Sequence, residues 1–410
     1  MKRKMSFILI LMLVAVFAAE ASAAVKRTAV KKRATVKQAP VVKPAAVVPQ
    51  VAAPAANPAP EESIADLKDD MNKGLASLKS QIETVKSDNG DAKVGGVIFS
   101  QWSRLTQNPA NKVYFNAFDI TRAYLNFTKK LDGGSSMRLT LDVKRVSDDI
   151  KNQNLFDYLK YAYFETPLNV SAFQAVPFNT NLKFGLQQNA WIDWDEGTMG
   201  MRYFMKSFLA DEGLMSSSDF GVGANGKITP AGLPEIEYNA VLTNGAGYAT
   251  SETDAKKALT MRVNSTVYED PAWGKFIIGV FGNIASLNPS DLTYSTSSKQ
   301  VGTTVALKGD WGMTYFEYLL GSNSGKSIGG YSGQLVVNAA PLGAQALNAF
   351  YRQDYYQPNT ADTSKDINKS FYGLTYDWNK DIKLAADFQN SSTGTGATTT
   401  TFYLHTSVAF

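Results

Sequence analysis

Between Val94 and Phe410 apolar side chains recur at every second position in short runs, each bounded by Gly, Pro, Asn, Asp or Ser. That period belongs to a β-strand with one apolar face, because successive side chains of an extended chain point to opposite sides. The pattern predicts strands near 94–104, 113–128, 135–146, 156–166, 180–190, 218–229, 234–244, 258–268, 273–285, 299–308, 311–320, 329–337, 344–356, 368–378, 381–389 and 399–410. The last run is the clearest. In Thr399–Phe410, Phe402, Leu404, Val408 and Phe410 share one face, and Tyr403, His405, Ser407 and Ala409 the other.

The links between runs alternate in length. Pro230–Leu233, Glu269–Ala272, Gly309–Asp310 and Asn379–Lys380 are short, whereas 147–155, 191–217, 245–257, 286–298, 357–367 and 390–398 are long; the link 167–179 breaks the rule. Short turns on one side, long loops on the other, and strands of about ten residues alternating apolar outward with polar inward mark barrels that cross outer membranes. The predicted fold class is therefore all-β: a 16-stranded antiparallel transmembrane β-barrel over 94–410, with 14 to 18 strands compatible with the boundaries. The last strand must pair with the first near Val94–Arg104, which removes both sheet edges.

The chain before the barrel has three parts. Residues 1–23 read as a secretory signal peptide: Lys2, Arg3 and Lys4, an apolar run from Met5 to Ala19, and the small-residue pattern Ala21-Ser22-Ala23. That run is shorter than the roughly 20 residues a membrane helix needs. Residues 24–60 are rich in Ala, Pro, Val and Lys and hold no acid, a composition that stays extended and solvated and spans on the order of 100 Å. This basic linker is a candidate for contact with an anionic cell wall. Residues 61–88 predict a coiled-coil helix: Ser63 and Asp66 form a capping box, and Ile64, Leu67, Met71, Leu75, Leu78, Ile82 and Val85 recur at steps of three and four. The stripe predicts self-association.

Charge narrows the function. Of 41 basic and 37 acidic residues, 15 and 9 fall in residues 1–93, leaving 26 and 28 for the barrel, a net −2. The excess positive charge belongs to the leader and linker, so nucleic acid is not an expected partner. There is no cysteine and one histidine, His405, so no metal site or cofactor is expected, and a hydrolase constellation of base and nucleophile has little to build on. A transporter plug domain would also need more than these leading residues.

Alternation assigns faces. Met137, Leu139, Leu141 and Val143 go to lipid, which sends Arg138, Asp142 and Lys144 into the lumen. The same rule turns Arg122, Lys160, Lys183, Lys227, Arg262, Lys275, Lys308, Arg352 and Lys383 inward, against the acids Asp142, Glu237, Glu317 and Asp387. A wall lined by one sign of charge concentrates counter-ions, so a mild anion preference is expected. Loop 191–217 carries Trp191, Trp194, Met199, Met201, Tyr203, Phe204, Met205 and Phe208, too apolar to stand in solvent, and is expected to fold into the lumen. Arg202 and Lys206, at i and i+4, would then present two donors at a pore constriction.

Phe118-Asp-Ile-Thr-Arg-Ala-Tyr-Leu-Asn-Phe127 with Met137-Arg-Leu-Thr-Leu-Asp142 resembles the early strands of the phosphate-selective porin O and P family of Gram-negative outer-membrane porins. Trp191–Tyr203 followed by Ser217–Val222 and Gly226 is similar to that family's constriction-loop region. The resemblance covers most of 94–410. It implies a homotrimer of 16-stranded barrels in outer-membrane lipid, with an N-terminal coiled coil matching 61–88, passing small anions or other small solutes. The family's phosphate-specific members use dense Arg and Lys arrays at the constriction, where this loop offers Arg202 and Lys206. The expected function is thus passive diffusion of small hydrophilic solutes, and the alternative is a structural tether between outer membrane and cell wall with the barrel as its anchor.

Overall fold

The computed structural model describes residues 69, 73–80, 92–107, 116–145, 155–168, 178–287 and 298–410. The signal peptide and linker lie outside the described residues, as does most of the predicted coiled coil. Of that helix, 73–80 is helical, with Leu75 and Leu78 exposed in the single chain and Lys73 paired to Asp69 at 2.6 Å.

Sixteen strands form among the described residues: β1 Ala92–Gln107, β2 Asn116–Lys130, β3 Ser136–Arg145, β4 Leu155–Pro167, β5 Phe178–Gln188, β6 Ser218–Ile228, β7 Ile236–Thr243, β8 Lys257–Asp270, β9 Gly274–Leu287, β10 Lys299–Gly309, β11 Gly312–Asn323, β12 Lys326–Ala339, β13 Ala344–Gln357, β14 Ile367–Asp377, β15 Ile382–Thr393 and β16 Thr399–Ala409. Each pairs antiparallel with its chain neighbours, and β1 pairs β16 from Val97↔Ala409 to Arg104↔Phe402, closing the barrel. Phe410 exchanges two backbone hydrogen bonds with Gly96, so the chain ends inside the closing seam. Every predicted strand is present. The link between β4 and β5 is long, as the sequence indicates, and one outer link is shorter than expected of its side: Ser324-Gly325 joins β11 to β12, with positive φ at both residues.

The outer surface is apolar and aromatic, as lipid requires. Phe164 stacks on Phe184 at 5.2 Å, Phe316 on Tyr331 at 6.2 Å and Tyr372 on Phe388 at 5.6 Å, all cross-strand pairs of a kind that stabilises sheets. Register shifts interrupt the alternation in β1, β8, β12 and β4, and the one in β4 bears on the lumen. Thr140 opposes Tyr161 while Leu141 opposes Leu159, so Lys160 is the extra residue of a β-bulge in β4. The bulge turns Lys160 and Tyr161 to the same side, both about 95% buried in the lumen, and reverses the parity beyond it.

The long loop Asn189–Ser217 lies inside the barrel, built of α1 (Ile192–Met199), a turn and α2 (Phe208–Asp211). Its apolar residues make the interior core. Trp191, Ile192, Phe208 and Leu209 pack with Phe281, Leu319, Ile328 and Tyr356, and Met199, Met201 and Met205 pack with Ala306, Tyr315, Val336, Phe350 and Phe371. Burying such side chains stabilises by about 1.5–3 kcal/mol each, which is why a loop of this composition leaves solvent for the barrel wall.

Candidate functional site

The loop is docked on one half of the barrel, from β9 to β16. Trp191 Nε1 donates to Glu317 Oε1 at 3.1 Å, and Asp195 Oδ1 accepts from Tyr315 at 2.7 Å and Thr304 at 3.0 Å. Arg352 grips Asp354 through two hydrogen bonds of 2.8 and 2.6 Å, and its remaining Nη1 donates to the backbone oxygen of Lys206 at 2.7 Å. Tyr203 donates to Leu384 O at 3.2 Å, and Lys369 pairs with Asp211 at 2.6 Å and Glu212 at 2.7 Å. Fully buried ionic groups persist only when paired in this way. His405 faces the lumen beneath Phe204, 2.9 Å from Asp387, with both groups buried.

The half from β1 to β8 is left open, and it is the basic half. Arg122 on β2, Arg138 and Lys144 on β3, Lys160 on β4, Lys183 on β5, Lys227 on β6 and Arg262 on β8 share this wall. Two cavities lie between wall and loop. One, of about 520 Å³, is bordered by Arg122, Lys144, Arg202, Lys206, Asp119 and Asp211. The other, of about 290 Å³, is bordered by Lys183, Lys227, Arg262, Asp193, Glu237 and a group of Asn side chains. The cations are backed by aromatic rings: Arg138 over Tyr161 at 4.6 Å, Lys144 over Tyr158 at 4.6 Å, Lys160 over Tyr124 at 4.5 Å, Lys183 over Tyr163 at 4.6 Å and Arg262 over Trp194 at 5.4 Å. A quadrupolar ring face holds a cation in place without neutralising it, unlike a carboxylate.

The structure changes the expected inventory in four ways. Arg352 points inward but is 1% exposed beneath the loop, so it anchors the loop and does not line open lumen. Lys275, Lys308 and Lys383 stand at the turn-side rim, where Lys275 and Lys383 meet Glu269 at 3.4 Å and Asp377 at 3.9 Å and Lys308 is exposed. Inward acids are more numerous than the four expected: Glu165 reaches Lys183 at 3.8 Å and Asp354 holds Arg352, while Asp195 and Glu196 come from the loop. Arg202 and Lys206 border one cavity but lie on a turn and not on one helix face; Arg202 is held by Glu196 at 2.8 Å, whereas Lys206 meets solvent.

The pairing is asymmetric in depth. Arg122 is 17% exposed and its partner Asp142, 2.5 Å away, is 0% exposed; Arg202 is 24% exposed and Glu196 12%. At these two pairs the cation faces the passage and its acid sits behind it, whereas at Lys183 (13% exposed) and Glu165 (22%) the acid is the more exposed member. Lys206 touches solvent deep inside the barrel, where partial desolvation, then repulsion from Arg202, Arg122 and Lys369, holds its pKa below the ordinary lysine value against the pull of Asp211. Tyr124, whose hydroxyl accepts from Lys160 at 3.0 Å and Arg202 at 3.5 Å, and Tyr248 of the loop between β7 and β8 belong to this site and are not singled out by sequence patterning.

No protein-family model and no curated protein sequence matches the chain. Solved structures do. OprB of Pseudomonas putida aligns over 80% of this chain and 96% of its own, with a TM-score of 0.56 at 9% identity. An anion-selective porin from Comamonas acidovorans covers 78% of this chain and 99% of its own, with a TM-score of 0.53 at 9% identity. The outer-membrane expressed OmpT of Vibrio cholerae gives 0.50 at 10% identity, over 78% and 97%. At such identities the likeness is one of fold: the chain has a porin-type β-barrel.

Proposed function

We propose that the chain is an outer-membrane porin through which small hydrophilic solutes diffuse passively, with a mild preference for anions. The observation that carries this reading is that the inward loop packs over the wall from β9 to β13 and leaves two cavities bordered by the basic wall of β1 to β8, the larger reaching on to β14–β16. Seven of the eleven inward cations expected from sequence stand on that open half, and a low-dielectric wall of one sign raises the local concentration of counter-ions. The preference is mild because ion pairs offset part of the charge. Two loop cations, one already held by Glu196, do not make the dense array that phosphate selectivity would use, so the reading stops at small anions in general. The sequence supports the rest of the organisation: a leader removed at 23, a basic periplasmic linker over 24–60 suited to contact with an anionic cell wall, and a coiled coil over 61–88 that assembles a homotrimer.

Reversal potential across a KCl gradient in planar bilayers tests it. Wild-type protein should show ohmic steps and a potential of the sign for chloride over potassium, reduced towards zero in the Arg202→Ala, Lys206→Ala double variant. Folded protein without conductance would remove the reading, and a double variant of unchanged selectivity would remove the constriction assignment.

A further inference from the structure

The loop 244–256 joins β7 to β8, yet its Tyr248 touches the wall at β2 to β4. Asn244 N–H donates to Phe220 O at 2.9 Å and Gly245 N–H to Oδ2 of buried Asp219 at 2.5 Å, which turns the loop inward at its first residues. Gly247 has φ of 82°, and a Cβ there would stand 2.8 Å from Ser216 Oγ at the end of the long loop, so position 247 needs glycine for both backbone and space. The Tyr248 hydroxyl accepts from Arg122 Nη1 at 3.1 Å and from Lys144 Nζ at 3.0 Å, and donates to Asp142 Oδ2 at 3.0 Å. A phenol has one proton and two lone pairs, and all are used. Its ring lies 4.7 Å from Lys144 Nζ and edge-on to Tyr158 at 6.2 Å.

We propose that Tyr248 is a specificity-determining residue of the channel: its phenol oxygen occupies the place between Arg122 and Lys144 that a solute oxyanion would take. The inference rests on the porin reading and refines it. With the phenol in place, the two cations bind a passing solute only when a carboxylate or phosphate oxygen of that solute replaces it. Chloride, a single spherical acceptor, passes the capped pair without binding. The phenol is neutral, and its burial beside these groups raises its pKa above the ordinary tyrosine value, so it stays protonated and caps the cations without cancelling their charge.

Two measurements on the full chain decide it. In planar bilayers, Tyr248→Phe removes the hydroxyl and keeps the ring; the chloride-over-potassium permeability ratio should rise about twofold or more, as the donors of Arg122 and Lys144 that the phenol occupied become open to chloride. On folded protein in detergent, Tyr248→Ala should speed acetylation of Lys144 by a small amine-reactive reagent about tenfold, the factor for losing one charge-assisted hydrogen bond, with Lys206 as the internal control. An unchanged ratio in Tyr248→Phe overturns the specificity role whatever the labelling shows. Unchanged Lys144 acetylation overturns the cap itself. A wild type that carries no current removes the porin reading and the specificity role with it, while the acetylation rates still decide whether the phenol caps Lys144.

Discussion

Asp195 shows how one side chain can make the docking of the inner loop depend on pH. Its carboxylate is fully buried, and burial pushes its pKa up to about 6, against the opposing hydrogen bonds from Tyr315 and Thr304. Tyr315 has a single proton to offer and stands 2.7 Å from Asp195 and 3.0 Å from Glu317, so two buried acids compete for one donor. The groups facing Asp195 include Glu196 of its own helix, which disfavours its charge, and Arg352 of β13, which favours it. The sign follows from the direction of the shift. An undocked Asp195 ionises near 3.8, so the docked loop takes up a proton between about 3.8 and 6 and is held more firmly as pH falls through that window. Asp195→Asn keeps an oxygen for both hydroxyls and removes the charge. Its open-channel current noise at pH 8 should fall to the wild-type level at pH 4.5 and lose its dependence on pH between those values. Noise in the variant that still follows pH as the wild type does would place the sensitivity elsewhere.

The inner loop is an element held by fit as much as by charge. Gly279 on the lumen face of β9 is the clearest case: a Cβ there would fall 2.2 Å from the ring of Trp194. Gly279→Ala must therefore push α1 off the wall or strain the strand, at a cost of about 1–3 kcal/mol. The expected outcome is higher unitary conductance with the barrel still resistant to unfolding on unheated gels; unchanged conductance would show that Trp194 yields without moving the loop. Arg352 works in the opposite sense. Its guanidinium joins Asp354 of its own strand to the backbone of Lys206, and removing one partner of such a buried pair costs about 3–5 kcal/mol. What the sequence could reveal of these elements follows from what imposes the pattern. Lipid outside and water inside dictate period two, so all sixteen strands and the outward faces of β3 and β16 were legible. Glu165 was not, because the bulge at Lys160 reverses the parity of β4 and brings Tyr161, Tyr163 and Glu165 inward together. Pairs such as Glu269↔Lys275 and Asp377↔Lys383 need the register of neighbouring strands, which alternation alone does not supply. Arg352 and Asp354, two apart on one strand, did lie in plain sight as a same-face pair. Tyr248 carries no periodic signal at all; Gly245 and Gly247 before it are its only local mark.

At the scale of the whole molecule, the selectivity proposed above is a property of the lumen's field. The cations of the β1–β8 wall come from seven strand positions, and the loop adds Arg202 and Lys206. Beside the larger cavity Asp142, at 0% exposure, sits behind Arg122 at 17%, so an ion there meets the positive member of that pair first, while Glu165 is more exposed than Lys183 and tempers the wall beyond. This arrangement acts through distance, and salt therefore governs it. The screening length is about 30 Å at 0.01 M salt and about 3 Å at 1 M. In dilute KCl an ion anywhere in the 520 Å³ cavity lies within the field of all the bordering cations, whereas at 1 M it senses only a group it touches. The chloride-over-potassium permeability ratio of the wild type should accordingly be largest near 0.01 M and fall towards unity near 1 M. A ratio that holds constant across that range would mean selection by direct coordination at one point. The Arg202→Ala, Lys206→Ala variant should lower the dilute-salt ratio by a fraction and leave the rest to Arg122, Lys144 and the wall beyond them, because a field shared among many charges survives the loss of two.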